Sequence, residues 1–154
     1  MNKEPRFEQR DAFRAVGLHV RAKPFSDAFA KIWDEFVPRM DEITGRTEQD
    51  ISYAVEWDMN DKAGDFSYLA SLAVNDDAPI PEGMMDVHVP AQEYVVFDFE
   101  LQGIQDAMNF IYKEWLPKSE YKFGGGPEFE YYGEKFKPDM GLFEMSMYVP
   151  VVKK

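Results

Sequence analysis

A succession of strand, helix, strand and strand occurs twice in this chain, and that duplication restricts the fold more than any single residue does. In the first copy, residues 13–20 are rich in strand formers, and Pro24-Phe25-Ser26-Asp27 ends the run while offering Ser26 or Asp27 as a helix cap. Ala28, Phe29, Ile32, Trp33, Phe36, Val37 and Met40 then share one helical face, which Pro38 should kink or end near Val37. Ile51, Tyr53, Val55 and Trp57 alternate with Ser52, Ala54, Glu56 and Asp58, and after a loop at 59–65 a partner strand runs over 66–74. An acidic, proline-containing connector at 75–84 leads into the second copy. There a strand at 94–99 precedes a helix opened by Gly103, with Ile104, Ala107, Met108, Ile111 and Trp115 at helical steps until Leu116-Pro117 stops it. A hairpin of 128–132 and 143–149 closes the chain. The period of roughly 80 residues is too long for a solenoid unit. The pattern therefore predicts one α+β domain over residues 1–154, with repeats at about 7–74 and about 84–151 sharing a core.

Charge limits the partners. The 17 Lys and Arg stand against 29 Asp and Glu, a formal net charge of -12, so phosphate backbones and anionic membrane surfaces should repel the chain. Neither direct nucleic-acid binding nor membrane association is expected. The absence of cysteine removes disulfides, thiolate nucleophiles and sulfur-based zinc sites. Residues 1–6 are polar, no apolar signal core follows, and no run approaches the ~20 apolar residues of a membrane helix, which makes a cytoplasmic location the expectation.

Pro127-Glu128-Phe129-Glu130-Tyr131-Tyr132 sets carboxylates among aromatic rings in a short extended segment. Strand alternation sends Phe129 and Tyr131 to one face and Glu128, Glu130 and Tyr132 to the other. One face packs; the other either receives a ligand or is the wet side of an edge strand. A carboxylate taken out of water is costly, and a bound cation offsets that cost through attraction that strengthens in a poorly hydrated cleft. Aromatic faces add about 0.5–2 kcal/mol each through cation–π attraction. Glu144 shares its face with Ser146 and Tyr148, and a suitable register would bring it near Glu130 for proton sharing and acid-base chemistry.

With these segments in order the chain resembles the GyrI-like small-molecule-binding domains, which also serve as effector-binding domains behind DNA-binding segments in bacterial multidrug-responsive regulators. The carriers are Phe66-Ser67-Tyr68, Ile80-Pro81-Glu82-Gly83-Met84, the run from Val89 to Phe97, Glu114-Trp115-Leu116-Pro117-Lys118-Ser119, Pro127 to Tyr132, and Tyr148-Val149-Pro150-Val151. The resemblance implies strand-helix-strand-strand modules about a pseudo-two-fold axis, an antiparallel sheet with a concave ligand cleft, and a deep glutamate that meets aromatic, often cationic ligands. Glu130 matches that glutamate. Tyr68 and Tyr94 match pocket-wall aromatics, and Tyr132, Trp115, Glu144 and Tyr148 complete the expected ligand-binding set.

Other motifs carry little. His19 and His88 lie far apart without a ligand pattern. The segment 58–64 has Lys62 at a calcium-ligand position and hairpin strands on either side, so it is expected as a turn. Gly124-Gly125-Gly126 lacks the Lys and Ser/Thr of a phosphate loop. No metal or cofactor is expected. The leading expectation is a stand-alone binder of hydrophobic, aromatic, cationic small molecules. The alternatives are hydrolysis of cyclopropane-containing alkylating agents, with Glu130 and Tyr94 or Tyr68 as the catalytic candidates, and a protein-partner role such as gyrase inhibition.

Overall fold

The computed structural model describes residues 1–154. The first half comprises β1 (Arg6–Arg10), β2 (Phe13–Ala22), α1 (Ala28–Phe36), β3 (Ser52–Asn60) and β4 (Asp65–Val74). The second comprises β5 (Met85–Val89), β6 (Gln92–Glu100), α2 (Ile104–Phe110), β7 (Tyr121–Phe123), β8 (Glu128–Tyr132), β9 (Phe136–Lys137) and β10 (Leu142–Lys153). All pairings are antiparallel, in the order β1-β6-β10-β8-β3-β4-β2-β5, with β7 and β9 also on β10. The order is symmetric about the β8–β3 seam: β10 answers β4, β6 answers β2, and β1 answers β5. This is the pseudo-two-fold arrangement of an α+β duplication.

β1 and β5 lie outside the expected strands, and each joins the other half. Phe7 of β1 sits opposite Val95 of β6, and Ala15 of β2 opposite Val87 of β5. The halves are thus interlocked by exchanged edge strands as well as joined at the seam.

Pro38 acts as expected, since α1 ends at Phe36 and a 3-10 turn, Val37–Glu42, takes over. The second helix departs from the regular form. After Phe110 it widens into a π turn, Ile111–Trp115, in which the Leu116 N–H reaches back five residues to the Ile111 carbonyl, before a closing turn at Leu116–Lys118.

Both faces of the sheet are buried. On the helix side, Val16, Leu72, Phe97 and Met147 pack with Phe36 and Ile111. The other side has no helix, yet Tyr53, Leu69, Tyr94, Phe129 and Tyr148 are buried there. Curvature explains this. Strands β2 and β8 are separated by β4 and β3, about 14 Å on a flat sheet. The Phe13 and Phe129 rings nevertheless meet edge-on with centroids 5.4 Å apart, so the sheet curls and its helix-free face is concave.

Gly17 sits where β2 crosses β4 most closely: a Cβ there would stand 1.8 Å from the Ala70 carbonyl oxygen. That oxygen is backbone and cannot swing aside. Gly17→Ala is expected to destabilise the fold by at least about 2–3 kcal/mol, read as a fall in the denaturant midpoint; an unchanged midpoint would contradict the close approach.

Candidate functional site

The two central strands carry an acidic cluster on the helix side. Glu128 pairs across the seam with Glu56, Glu56 pairs with Tyr68 on β4, and Glu130 pairs with Ala54. Directly opposed residues share a face, so Glu56, Glu128, Glu130 and Tyr68 look the same way as Tyr132, two residues beyond Glu130. The small residues Ala54 and Ala70 lie opposite one another on the floor beside them.

Both helical segments reach this cluster. Trp33 of α1 donates its Nε1–H to Tyr68 Oη at 2.8 Å and meets Tyr132 edge-on at 5.6 Å. Phe29 stacks on Tyr68 at 4.4 Å. From the π turn, Tyr112 donates to Glu128 Oε2, and within β8 Tyr132 donates to Glu130 Oε1 at 2.5 Å. The site therefore occupies the trough between α1 and the π turn, over the β8–β3 seam, while the concavity of the sheet is filled by the second aromatic core.

The cluster has no cationic side chain. None of the salt bridges involves Glu56, Glu128 or Glu130. Glu56 is 8% exposed and Glu130 5%, and Glu56 Oε2 is buried with no donor facing it. Glu56 and Glu130 are close enough to compete for one proton, which would relieve their repulsion only while it is held. Burial, and after it the nearness of Glu130, holds Glu56 well above the ordinary carboxylate range. Burial likewise pushes Glu128 up to about 7, with the Tyr112 hydrogen bond opposing and Glu130 adding. Glu130 is raised by burial against the opposing hydrogen bonds from Glu56 and Tyr132. Burial and the facing carboxyls raise Tyr68, Tyr112 and Tyr132 too, so these phenols stay protonated donors.

Three of the residues singled out from the sequence meet here: Glu130, Tyr68 and Tyr132. The others do not. Tyr148 pairs with Phe129 and so faces the concave side, where Tyr94 also lies, packed on Phe129 and Tyr148. Glu144 is on the same β10 face as Tyr148, paired with Lys135 at 3.4 Å, which corrects the expected approach to Glu130. Trp115 is on the helix side but packs against Phe97, Phe7 and Tyr121, away from the acids. Of the pairs expected for the hydrolytic alternative, Glu130 and Tyr94 are divided by the sheet, whereas Glu130 and Tyr68 share a face.

Glu56, Glu128, Tyr112 and Trp33 belong to the cluster without having been selected. Glu128 and Glu56 had a legible signal, a carboxylate in each of two strands destined for the seam. Tyr112 had none, because only the π turn directs it at the sheet. Two surface hollows, one beside Phe13 and His88 and one beside Asp98 and Glu144, lie apart from this site. No group of His, Cys, Asp or Glu is placed to hold a metal ion.

The fold defines a class, the duplicated α+β effector-binding domain. The chain belongs to the Cass2 family of integron-associated effector-binding proteins, whose pattern matches residues 6–151. It is 31% identical over 153 residues to the transcriptional regulator BrlR of Pseudomonas aeruginosa, a match covering 97% of this chain and 56% of BrlR, so the chain spans about half the length of that relative. The structure of SAV2435 bound to tetraphenylphosphonium is similar with a TM-score of 0.74 at 14% identity, over 97% of this chain and 94% of that one. An integron cassette protein from the mobile metagenome of Vibrio cholerae gives 0.67 at 16%, over 97% of each. At these identities the structural likeness is one of fold. No helix is long and apolar enough to cross a membrane.

Proposed function

We propose that this chain binds hydrophobic, aromatic cations in the trough between α1 and the π turn, with Glu56, Glu128 and Glu130 supplying the charge and Trp33, Tyr68, Tyr112 and Tyr132 the walls. One observation carries this reading: buried carboxyl groups stand side by side with no positive side chain among them. Buried charge is normally paired. A soluble organic cation would provide the missing partner, and flat aromatic groups on it would find rings to cover them. The complex of SAV2435 with tetraphenylphosphonium gives a cation of that class to test.

The site is closed in the free chain, with Tyr68 3% and Tyr132 9% exposed. Entry then requires the half-buried Trp33 and Tyr112 to swing outward, and the hydrogen bonds these two make to Tyr68 and Glu128 are the ones to break first. Tetraphenylphosphonium is expected to raise the melting temperature in a saturable way. Triphenylphosphine oxide, aromatic but uncharged, should leave it unchanged. Glu130→Gln should weaken tetraphenylphosphonium binding by at least about tenfold, or about 1.4 kcal/mol. Equal effects of the charged and neutral compounds, or none from either, would sink the proposal.

A further inference from the structure

On the opposite face of the sheet stands a second arrangement that the acidic trough does not explain. The guanidinium of Arg10 is surrounded by five aromatic rings: its Cζ lies 5.2 Å from the centroid of Tyr148, 5.3 Å from Phe129, 5.5 Å from Phe13, 5.7 Å from Tyr53 and 5.9 Å from Tyr131. Arg10 Nη2 donates to Tyr53 Oη at 2.9 Å, and Tyr53 donates in turn to Glu48 Oε1 at 2.6 Å. The acid thus lies behind the phenol that meets the cation. A second carboxylate, Glu8, accepts from Tyr148 Oη at 3.1 Å. Rings around a cation, the Tyr53 phenol oxygen accepting from one side and the Glu48 carboxylate behind it form a receptor for a planar guanidinium that stays in place when β1, carrying Glu8, lifts away.

The box and its occupant differ in how firmly they are held. Tyr53 and Phe129 are fully buried and Tyr148 is 4% exposed, and they stand on the central strands β3, β8 and β10. Their mutual packing, with Phe129 stacked on Tyr148 at 4.7 Å and Tyr53 edge-on to Phe129 at 5.5 Å, does not need Arg10. The occupant comes instead from β1, a five-residue edge strand paired only with β6 and largely exposed. A preformed cage on the framework is filled from a short strand at the edge of the sheet.

We propose that this aromatic box is a second cation site, specific for guanidinium groups, in which Arg10 is an exchangeable resident occupant. An external alkylguanidinium takes its place when β1 lifts from β6. The site is separate from the acidic trough: strand β8 presents Phe129 and Tyr131 to the box and Glu128, Glu130 and Tyr132 to the trough, with the thickness of the sheet between them.

The test is chemical rescue. Arg10→Ala should melt several degrees below the parent, and methylguanidinium at low-millimolar concentration should recover at least half of that loss along a saturable curve. Methylammonium should recover less, and urea, neutral and of similar shape, none. In the parent protein, where Arg10 competes for the box, methylguanidinium should show the same saturable binding displaced to at least about tenfold higher concentration, and no binding at any concentration would show that Arg10 does not exchange. Adding Tyr131→Leu, at a half-exposed wall of the box, should abolish the rescue, while tetraphenylphosphonium binding by Arg10→Ala stays within about twofold of the parent. Should Arg10→Ala not fold, Arg10→Gln, neutral but of similar length, takes its place and is judged on the same curves. A folded variant with no saturable response to methylguanidinium, or with an equal response to urea, would overturn the proposal.

Discussion

Glutamine in place of Glu56 is expected to make the free protein more stable at pH 8 and a weaker binder of tetraphenylphosphonium. Glu56 is buried beside Glu130, its Oε2 meets no donor, and burial together with Glu130 raises its proton affinity. At pH 8 the parent must either carry a buried charge or hold a proton against the solvent, and both are costly. The glutamine amide carries no charge and donates an N–H toward Glu130 at every pH. The gain should be about 1–3 kcal/mol, or a rise of roughly 2–10 °C in melting temperature. As pH falls toward 5 the parent takes up the proton and the gain should shrink. Affinity should fall by about tenfold, as expected when one of several carboxylates facing a cation is neutralised. Paired melting curves at the two pH values, with calorimetric titration of the cation, measure both effects. A variant less stable than the parent at pH 8 would show that the Glu56 anion has a stabilising partner.

The second large effect is an opposition between stability and binding as pH changes. A carboxyl whose folded pKa is raised holds its proton in the native state over a window in which the unfolded chain has released it. Stability contributed in this way is lost as pH rises through that window. For Glu128 the window runs from the ordinary 4.5 to about 7. Its shift corresponds to about 3 kcal/mol lost between those limits and not regained above them. Glu56 and Glu130, raised in the same direction, add to the trend. Cation binding has the reverse dependence, because the ligand favours the deprotonated cluster, so affinity for tetraphenylphosphonium should climb over the same interval. Glu128→Gln should flatten the stability profile there. Denaturant unfolding from pH 4.5 to 8 tests this directly, and a profile identical in parent and variant would remove Glu128 from the account.

The strands that build the site were largely legible in the sequence, whereas their faces were not. Alternation in Glu128–Tyr132 correctly separated Glu130 and Tyr132 from Phe129 and Tyr131, since it depends on one strand alone. Tyr94 and Tyr148 were assigned with Glu130 although the sheet turns them away from it. Their orientation follows from Tyr148 pairing with Phe129 and Pro150 with Tyr94, and a slip of one residue would reverse both faces. Register of that kind is set by long-range packing. Glu56 alternates with Tyr53, Val55 and Trp57 in the manner of a solvated position, because a polar residue at a buried seam has the same local pattern as one in water. The exchanged strands β1 and β5 are short, with several polar or exposed residues, and gain their strand character from edges supplied by the other half. Arg10 had no local sign of its aromatic surroundings, whose rings come from β2, β3, β8 and β10.

Side-chain carboxyl NMR, with Glu56, Glu128 and Glu130 assigned by single glutamine substitutions, tests most directly whether an uncompensated acidic cluster awaits a cation. Titrated without ligand, the three should take up protons above the ordinary carboxylate range, Glu56 and Glu128 well above it, and tetraphenylphosphonium should shift their titration to lower pH with release of protons. Three carboxyls titrating near 4.5 in the free protein, unmoved by the cation, would contradict the account.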